Sequence, residues 1–145
     1  MKENNYEQLR LENQLCFPLY ACARQVVNRY TPLLKPLGLT YTQYILLMVL
    51  WENDGQTVGE IGRRLYLDNG TLTPMLKKME SQGYVERRRC KDDERVVKIN
   101  LTESGWELRE KAKDIPLQVG GCVALEQDEA QTLYKLLYKL MGSFE

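Results

Sequence analysis

TVGEIGRRLYLDNGTLTPMLKKMESQGYVERRRCKDDERVVKINL, residues 57–101, changes its hydrophobic period partway along. It opens with Thr57-Val58-Gly59-Glu60, a capping box in which hydroxyl and carboxylate satisfy free amides at a helix start. This predicts a short helix to Tyr66. Asp68 caps a second helix to about Gln82, and Gly83 sits where a left-handed residue closes one. Pro74 inside that helix removes a backbone bond and crowds the carbonyl of Gly70, where the missing side chain eases the adjustment. Beyond Gly83 the period becomes that of strands, over Tyr84–Arg89 and Arg95–Leu101. Cys90-Lys91-Asp92-Asp93-Glu94 suits the tip of the hairpin between them. Two short helices followed by a basic hairpin make a winged helix-turn-helix.

That topology gives the polar residues a task. The second helix offers Asn69, Gly70, Thr71 and Thr73 near its start, with Lys77 and Lys78 further along. Asn pairs with adenine and Thr touches a thymine methyl or a phosphate. The free amides at the helix start hold phosphate. The hairpin adds Arg87, Arg88, Arg89, Lys91 and Arg95, and those at the tip reach phosphates or a minor groove. Taken singly, such charges form an ordinary solvated face. Taken with the topology they indicate duplex DNA as partner, read at a pseudo-palindromic operator.

Outward from the centre, residues 41–51 are apolar nearly all round and predict a buried helix. Thr31-Pro32 reads as a cap and first position of a short helix to Leu37, ended by Gly38. Residues 7–30 form a first helix with Leu15, Leu19, Cys22 and Val26 on one stripe. Thr102 caps a helix toward Pro116, Gly120-Gly121 marks a bend, and Ala130, Leu133, Leu137, Leu140 and Met141 line a last helix. The broad apolar faces at both ends require a partner, so a homodimer is expected. The fold class is mainly α (α+β). Residues 1–145 form one domain, with the winged helix over about 40–102 and dimerisation helices over about 7–37 and 103–145.

The 145 residues carry 20 basic and 20 acidic side chains. Zero net charge argues against a nonspecific nucleic-acid coat but not against a reader with local basic residues. No apolar run has membrane length and no signal-peptide pattern is present, so a cytoplasmic protein is expected. Histidine is absent, and Cys16, Cys22, Cys90 and Cys122 have spacings unlike any zinc motif. No metal and no cofactor are expected. Structural disulfides are disfavoured in a reducing compartment, which leaves packing thiols or reactive ones. A thiol peroxidase would need a recycling dithiol that this chain lacks, so an enzyme is not expected.

Asp93-x-Arg95, followed by Leu101-Thr102-Glu103-x-Gly105, resembles the wing signature of MarR regulators. The resemblance implies that Asp93 supports the wing and that Arg95 enters the minor groove. Leu11–Phe17, Leu39–Tyr44, Leu65–Glu80 and Asp92–Arg95 are similar to the organic hydroperoxide resistance regulators (OhrR) within that family, so the likeness covers nearly the whole chain. Asn69 stands where those relatives often carry Ser. The family implies a triangular homodimer with interlocked first and last helices. It also implies a repressor whose first-helix cysteine becomes a sulfenic acid on contact with an organic hydroperoxide, releasing DNA. Helical steps put Tyr20, Ala23, Val27 and Tyr30 near the face of Cys16, with Cys22 roughly 120° away. Helix geometry alone reads Cys16 as a small core residue. The resemblance makes it the sensor, with Tyr30 and Tyr41 in the family's tyrosine positions and Tyr41 supplied by the partner subunit. Phenolic hydroxyls there donate to a thiolate. Cys122 resembles the resolving cysteine of one OhrR branch, while Cys22 reads as a packing residue and Cys90 as an exposed bystander. Pro18 is expected to free the Gln14 carbonyl and kink the helix. The alternative is a MarR-type repressor gated by a small aromatic ligand, with structural cysteines.

Overall fold

The computed structural model describes residues 6–144. Its first segment departs from the single helix expected over 7–30. Glu7–Leu9 and Leu11–Asn13 form two separate 3-10 turns, and α1 (Cys16–Leu34) begins only at Cys16. The Gln14 side chain closes the preceding segment by donating to the Gln8 and Arg10 carbonyls, both at 2.8 Å. Pro18 therefore lies in the first turn, where the amide it lacks has no helical partner to lose, and the expected kink is removed. The short helix expected from Pro32 is not separate either. Pro32 lies inside α1, and Thr31, read as a cap, instead donates its hydroxyl to the Val27 carbonyl at 3.3 Å. A 3-10 turn, Lys35–Leu37, follows and ends at Gly38 with φ 70°.

The predicted buried helix is α2 (Tyr41–Glu52). Thr40 and Gln43 form a capping box that sequence reading missed, with N–H to oxygen distances of 3.1 and 3.2 Å. Leu46, Leu47 and Leu50 are fully buried, and each stabilises by about 2 kcal/mol relative to an exposed leucine. β1 (Gln56–Thr57) leads directly into α3 (Val58–Leu65), whose Thr57–Glu60 capping box is present as predicted. Tyr66 turns left-handed at φ 56°, and Asp68 caps α4 (Asn69–Ser81). α3 and α4 meet at Gly62, where an added Cβ would stand 2.7 Å from the Leu67 carbonyl oxygen and 3.1 Å from Leu72 Cδ1. Only glycine permits this approach.

β2 (Val85–Arg89) and β3 (Val97–Leu101) pair antiparallel, with Val85 opposite Leu101, Arg87 opposite Ile99 and Arg89 opposite Val97. β1 adds to the other side of β3, giving the order β1-β3-β2. Two residues are too few to carry a strand's period, so β1 had no signal in the sequence. α5 (Glu103–Ala112) starts on the Thr102 cap. Its Gly105 presses on the Tyr84 carbonyl oxygen with no room for a Cβ. The Thr-x-x-Gly spacing is thus a cap followed by a chain crossing. The helix expected to run toward Pro116 stops at Ala112, and α6 (Ile115–Gly120) follows.

The chain divides into two compact units, one ending at Ile115 and the other beginning at Pro116. The first holds the core of Leu34, Leu46, Leu50, Ile61, Leu72, Met79, Val85 and Ile99. At the N-cap of α1 and along the helix it leaves Leu15, Phe17, Leu19 and Val26 exposed. The second contains α7 (Gln127–Gly142), on which Leu133, Tyr134, Leu136 and Tyr138 are exposed. Among the described residues no single helix is long and apolar enough to cross a membrane.

Candidate nucleic-acid interface and reactive thiol

α4 buries Leu72, Leu76 and Met79 on one face. Helical spacing then turns the others outward: Asn69, Gly70, Thr71, Lys77 and Lys78 are exposed and Thr73 is half-buried. Asp68 accepts the Thr71 N–H at 2.7 Å, and this bond holds its carboxyl below the ordinary carboxylate range. The wing is braced from within. The Cys90 N–H donates to the Val96 carbonyl at 2.8 Å and Arg89 donates to the Glu94 carbonyl at 2.8 Å. Asp93 accepts the Arg95 backbone N–H and Nε–H, both at 3.1 Å, and these donors lower its pKa. Arg95 nevertheless keeps 92% of its side chain exposed. Asn69 and Thr73 of α4, Gly59 of α3, and Arg95 and Val97 of the hairpin line one groove of about 320 Å³. Residues distant in the chain are thereby gathered onto one face.

The expected contacts are not all alike. Lys91 is exposed at the hairpin tip. Arg87 is instead turned inward: its Nε and Nη2 each donate to Glu80 Oε1 at 3.2 Å, and its backbone N–H donates to Glu80 Oε2 at 3.0 Å. Arg88 is paired with Glu86 at 2.8 Å. Glu80 escaped sequence reading because its contact crosses the turn between helix and strand, where no periodicity runs.

Cys16 is the first residue of α1 and is exposed in the single chain, outside the core of its own subunit. Tyr20, one turn on, is exposed beneath the Arg24 guanidinium, 5.6 Å from its ring centre. Tyr30 shares the helical face of Cys16 but lies roughly 21 Å along the axis. Its ring packs on Tyr41 at 4.9 Å and on Tyr44 at 5.7 Å. Burial, then the neighbouring Tyr30, raises the Tyr41 pKa, and burial, with Tyr30 and Tyr41 alongside, pushes Tyr44 up to about 12. Tyr41 is therefore a protonated donor at neutral pH. Within one chain the face shared by Cys16 and Tyr30 is not a contact. Cys22 is also exposed, and Cys90 is half-buried at the hairpin instead of a fully exposed bystander. Cys122 is exposed just beyond α6, its Sγ 3.7 Å from the Gln118 carbonyl oxygen. Among the described residues no group of three or more His, Cys, Asp or Glu side chains is placed to hold a metal ion.

A capped, polar-faced helix beside an arginine-tipped hairpin defines a winged helix-turn-helix regulator. Residues 28–114 match the family model of the transcriptional regulator SarA/Rot. The organic hydroperoxide resistance transcriptional regulator of Bacillus subtilis is 49% identical over 96% of this chain and 95% of its own. AbfR of Staphylococcus epidermidis, solved in reduced form bound to DNA, is 38% identical with a TM-score of 0.79, covering 96% of this chain and 98% of that one. AbfR has also been solved with its disulfide formed, at a TM-score of 0.68. A mutant of Escherichia coli MarR complexed with operator DNA is 27% identical over 87% of this chain and 92% of its own, at a TM-score of 0.80. The chain belongs to the MarR family of DNA-binding transcriptional regulators, in its organic hydroperoxide resistance group.

Proposed function

We propose that this protein is a repressor that holds a pseudo-palindromic operator as a homodimer and lets go when an organic hydroperoxide oxidises Cys16. The observation that carries the DNA half is the single groove shared by Asn69, Thr73 and Arg95. It brings two polar side chains of the kinds that suit base edges beside an arginine of the kind that suits a minor groove. The sensing half is supported by the place of Cys16 at the first turn of α1, outside the core of its own chain, and by the likeness to the organic hydroperoxide resistance regulator of Bacillus subtilis. The Cys16 thiolate attacks the outer oxygen of the hydroperoxide, the O–O bond breaks, the alkoxide leaves with a proton as the alcohol, and sulfur is left as sulfenic acid. Tyr30 and Tyr41 of a second copy are the donors that stabilise the thiolate, since those of the same chain are out of reach. Cys122 of the other subunit then condenses with the sulfenic acid, forming the disulfide and releasing water. The protein acts where its DNA is, in the cytoplasm. The test is a gel-shift titration on a duplex that the wild type recovers from a random pool, with and without cumene hydroperoxide. Cys16→Ser binds like wild type but is not released, because serine cannot form a sulfenic acid. Release of Cys16→Ser by peroxide would end the sensor assignment.

A second reading has its own observation. Val27, Thr31, Lys35, Leu39, Thr40 and Tyr41 line a cavity of about 510 Å³, in which Lys35 suits the carboxylate of a small aromatic acid. Release of Cys16→Ser by salicylate would favour ligand gating.

A further inference from the structure

We infer that the Glu80–Arg87 ion pair is a clamp that sets the reach of the wing relative to the recognition helix, so that an acid on the DNA-binding unit strengthens DNA binding. The inference rests on the DNA-binding reading above. Glu80 belongs to the last turn of α4 and Arg87 to β2, and Gly83, with φ 83°, turns the chain between them. β2 is an edge strand, so the amides on its outer side have no strand to pair with. The Arg87 N–H donates to Glu80, and the Arg87 guanidinium grips the other carboxylate oxygen. Both oxygens of one carboxylate thus hold the strand at backbone and side chain together. The pair is part-buried, with side chains 39% and 30% exposed, so solvent screens it less than a fully exposed pair.

The lever arm makes this hold matter. From Arg87 the hairpin extends another four or so residues to its tip, roughly 13 Å at strand rise. A tilt of about 10° at Arg87 then moves the tip by roughly 2 Å, more than a hydrogen bond tolerates. Arg95 and Asn69 line one groove only while that angle is kept. Two other roles make opposite forecasts. If Glu80 acted only through its charge, its loss would tighten binding to phosphates. If Arg87 were itself a phosphate contact, its loss would reduce the salt dependence of binding.

The experiment measures affinity across a salt series, thermal midpoint and hydroxyl-radical protection, using the full-length protein and the duplex recovered from a random pool. The variants are Glu80→Ala, Glu80→Gln, Arg87→Ala and the double alanine variant. The clamp predicts that Glu80→Ala and Arg87→Ala each weaken binding about tenfold, and that the double variant is no weaker, as for two residues acting as one. Their salt slopes stay parallel to wild type. Protection is lost over the flanking minor groove where the wing reaches and kept over the central major groove. Glu80→Gln, whose amide oxygen still accepts the Arg87 N–H, stays within about threefold of wild type and guards against a folding defect in the alanine variant. Equal or tighter binding by Glu80→Ala would overturn the clamp. So would a salt slope flattened by about one in Arg87→Ala beside an unaffected Glu80→Ala. A wild type that recovers no duplex at all would remove the DNA-binding reading and the clamp with it, whereas normal wild-type binding with indifferent variants removes the clamp alone.

Discussion

Asp93 accepts from the backbone N–H, Nε and Nη2 of Arg95, yet it leaves that side chain 92% exposed. The carboxylate orients the cation without withdrawing it. Arg95→Ala is expected to weaken operator binding about ten- to a hundredfold, as for one groove contact, with only a small drop in thermal midpoint from the loss of an exposed ion pair. Fluorescence anisotropy at moderate salt checks this, and equal affinity would unseat the wing assignment. A second expectation concerns acid. Glu60, Asp68, Glu80 and Asp93 all have pKa values lowered by hydrogen-bond donors of the folded chain. The folded state thus holds these protons more weakly than the unfolded state. The stability they contribute is present above the ordinary carboxylate range and is lost as pH falls through their lowered values. Urea midpoints should therefore drop between neutral pH and about pH 3, and less so in Asp93→Asn. A midpoint indifferent to pH in both proteins would contradict the lowered values. Glu60, Asp68 and Asp93 were legible in the sequence because each acts within a turn, at spacings of two or three. Glu80 and Arg87, seven apart across a reversal, were not.

The capped helices α3, α4 and α5 were read from Thr57, Asp68 and Thr102, whose side chains spell out the helix starts. α1 was misread at both ends. Its start depends on the Gln14 side chain closing a turn over backbone carbonyls, and its end on a proline that the helix absorbs. Neither has a local spelling, and the apolar stripe continues past both. Placing Cys16 at the first turn was therefore beyond the sequence. Gly62 was also silent, since its reason is the turn that follows. Gly62→Ala is expected to cost about 1–3 kcal/mol through overpacking, measured by urea denaturation. An unchanged midpoint would mean that α3 and α4 move apart freely. The phenols give a kinetic expectation. On the proposed sensing mechanism, Tyr30→Phe and Tyr41→Phe should each slow Cys16 oxidation severalfold, followed by loss of free thiol with time. Rates equal to wild type would remove both tyrosines from the sensing site.

For the whole molecule, the exposed apolar residues of α1 and α7 are the faces expected to be covered by a second copy. Light scattering should report a dimer at micromolar concentration. After cumene hydroperoxide, a non-reducing gel should show a covalent dimer in wild type that disappears in Cys122→Ser. A monomer band in oxidised wild type, with DNA release intact, would leave Cys16 to act with a small cellular thiol. The dimer lies beyond a single chain, and the sequence conveyed it only through resemblance and uncovered apolar faces. The close approach at Gly62 has a genetic consequence. A bulky residue such as valine there would spoil the helix-turn-helix while leaving the apolar faces of α1 and α7 unchanged. Such an allele, expressed beside the normal one, should sequester intact subunits into mixed pairs with only one working reading head. On the proposed repressor function it should therefore behave as dominant, derepressing target genes in a cell that still makes the wild-type protein.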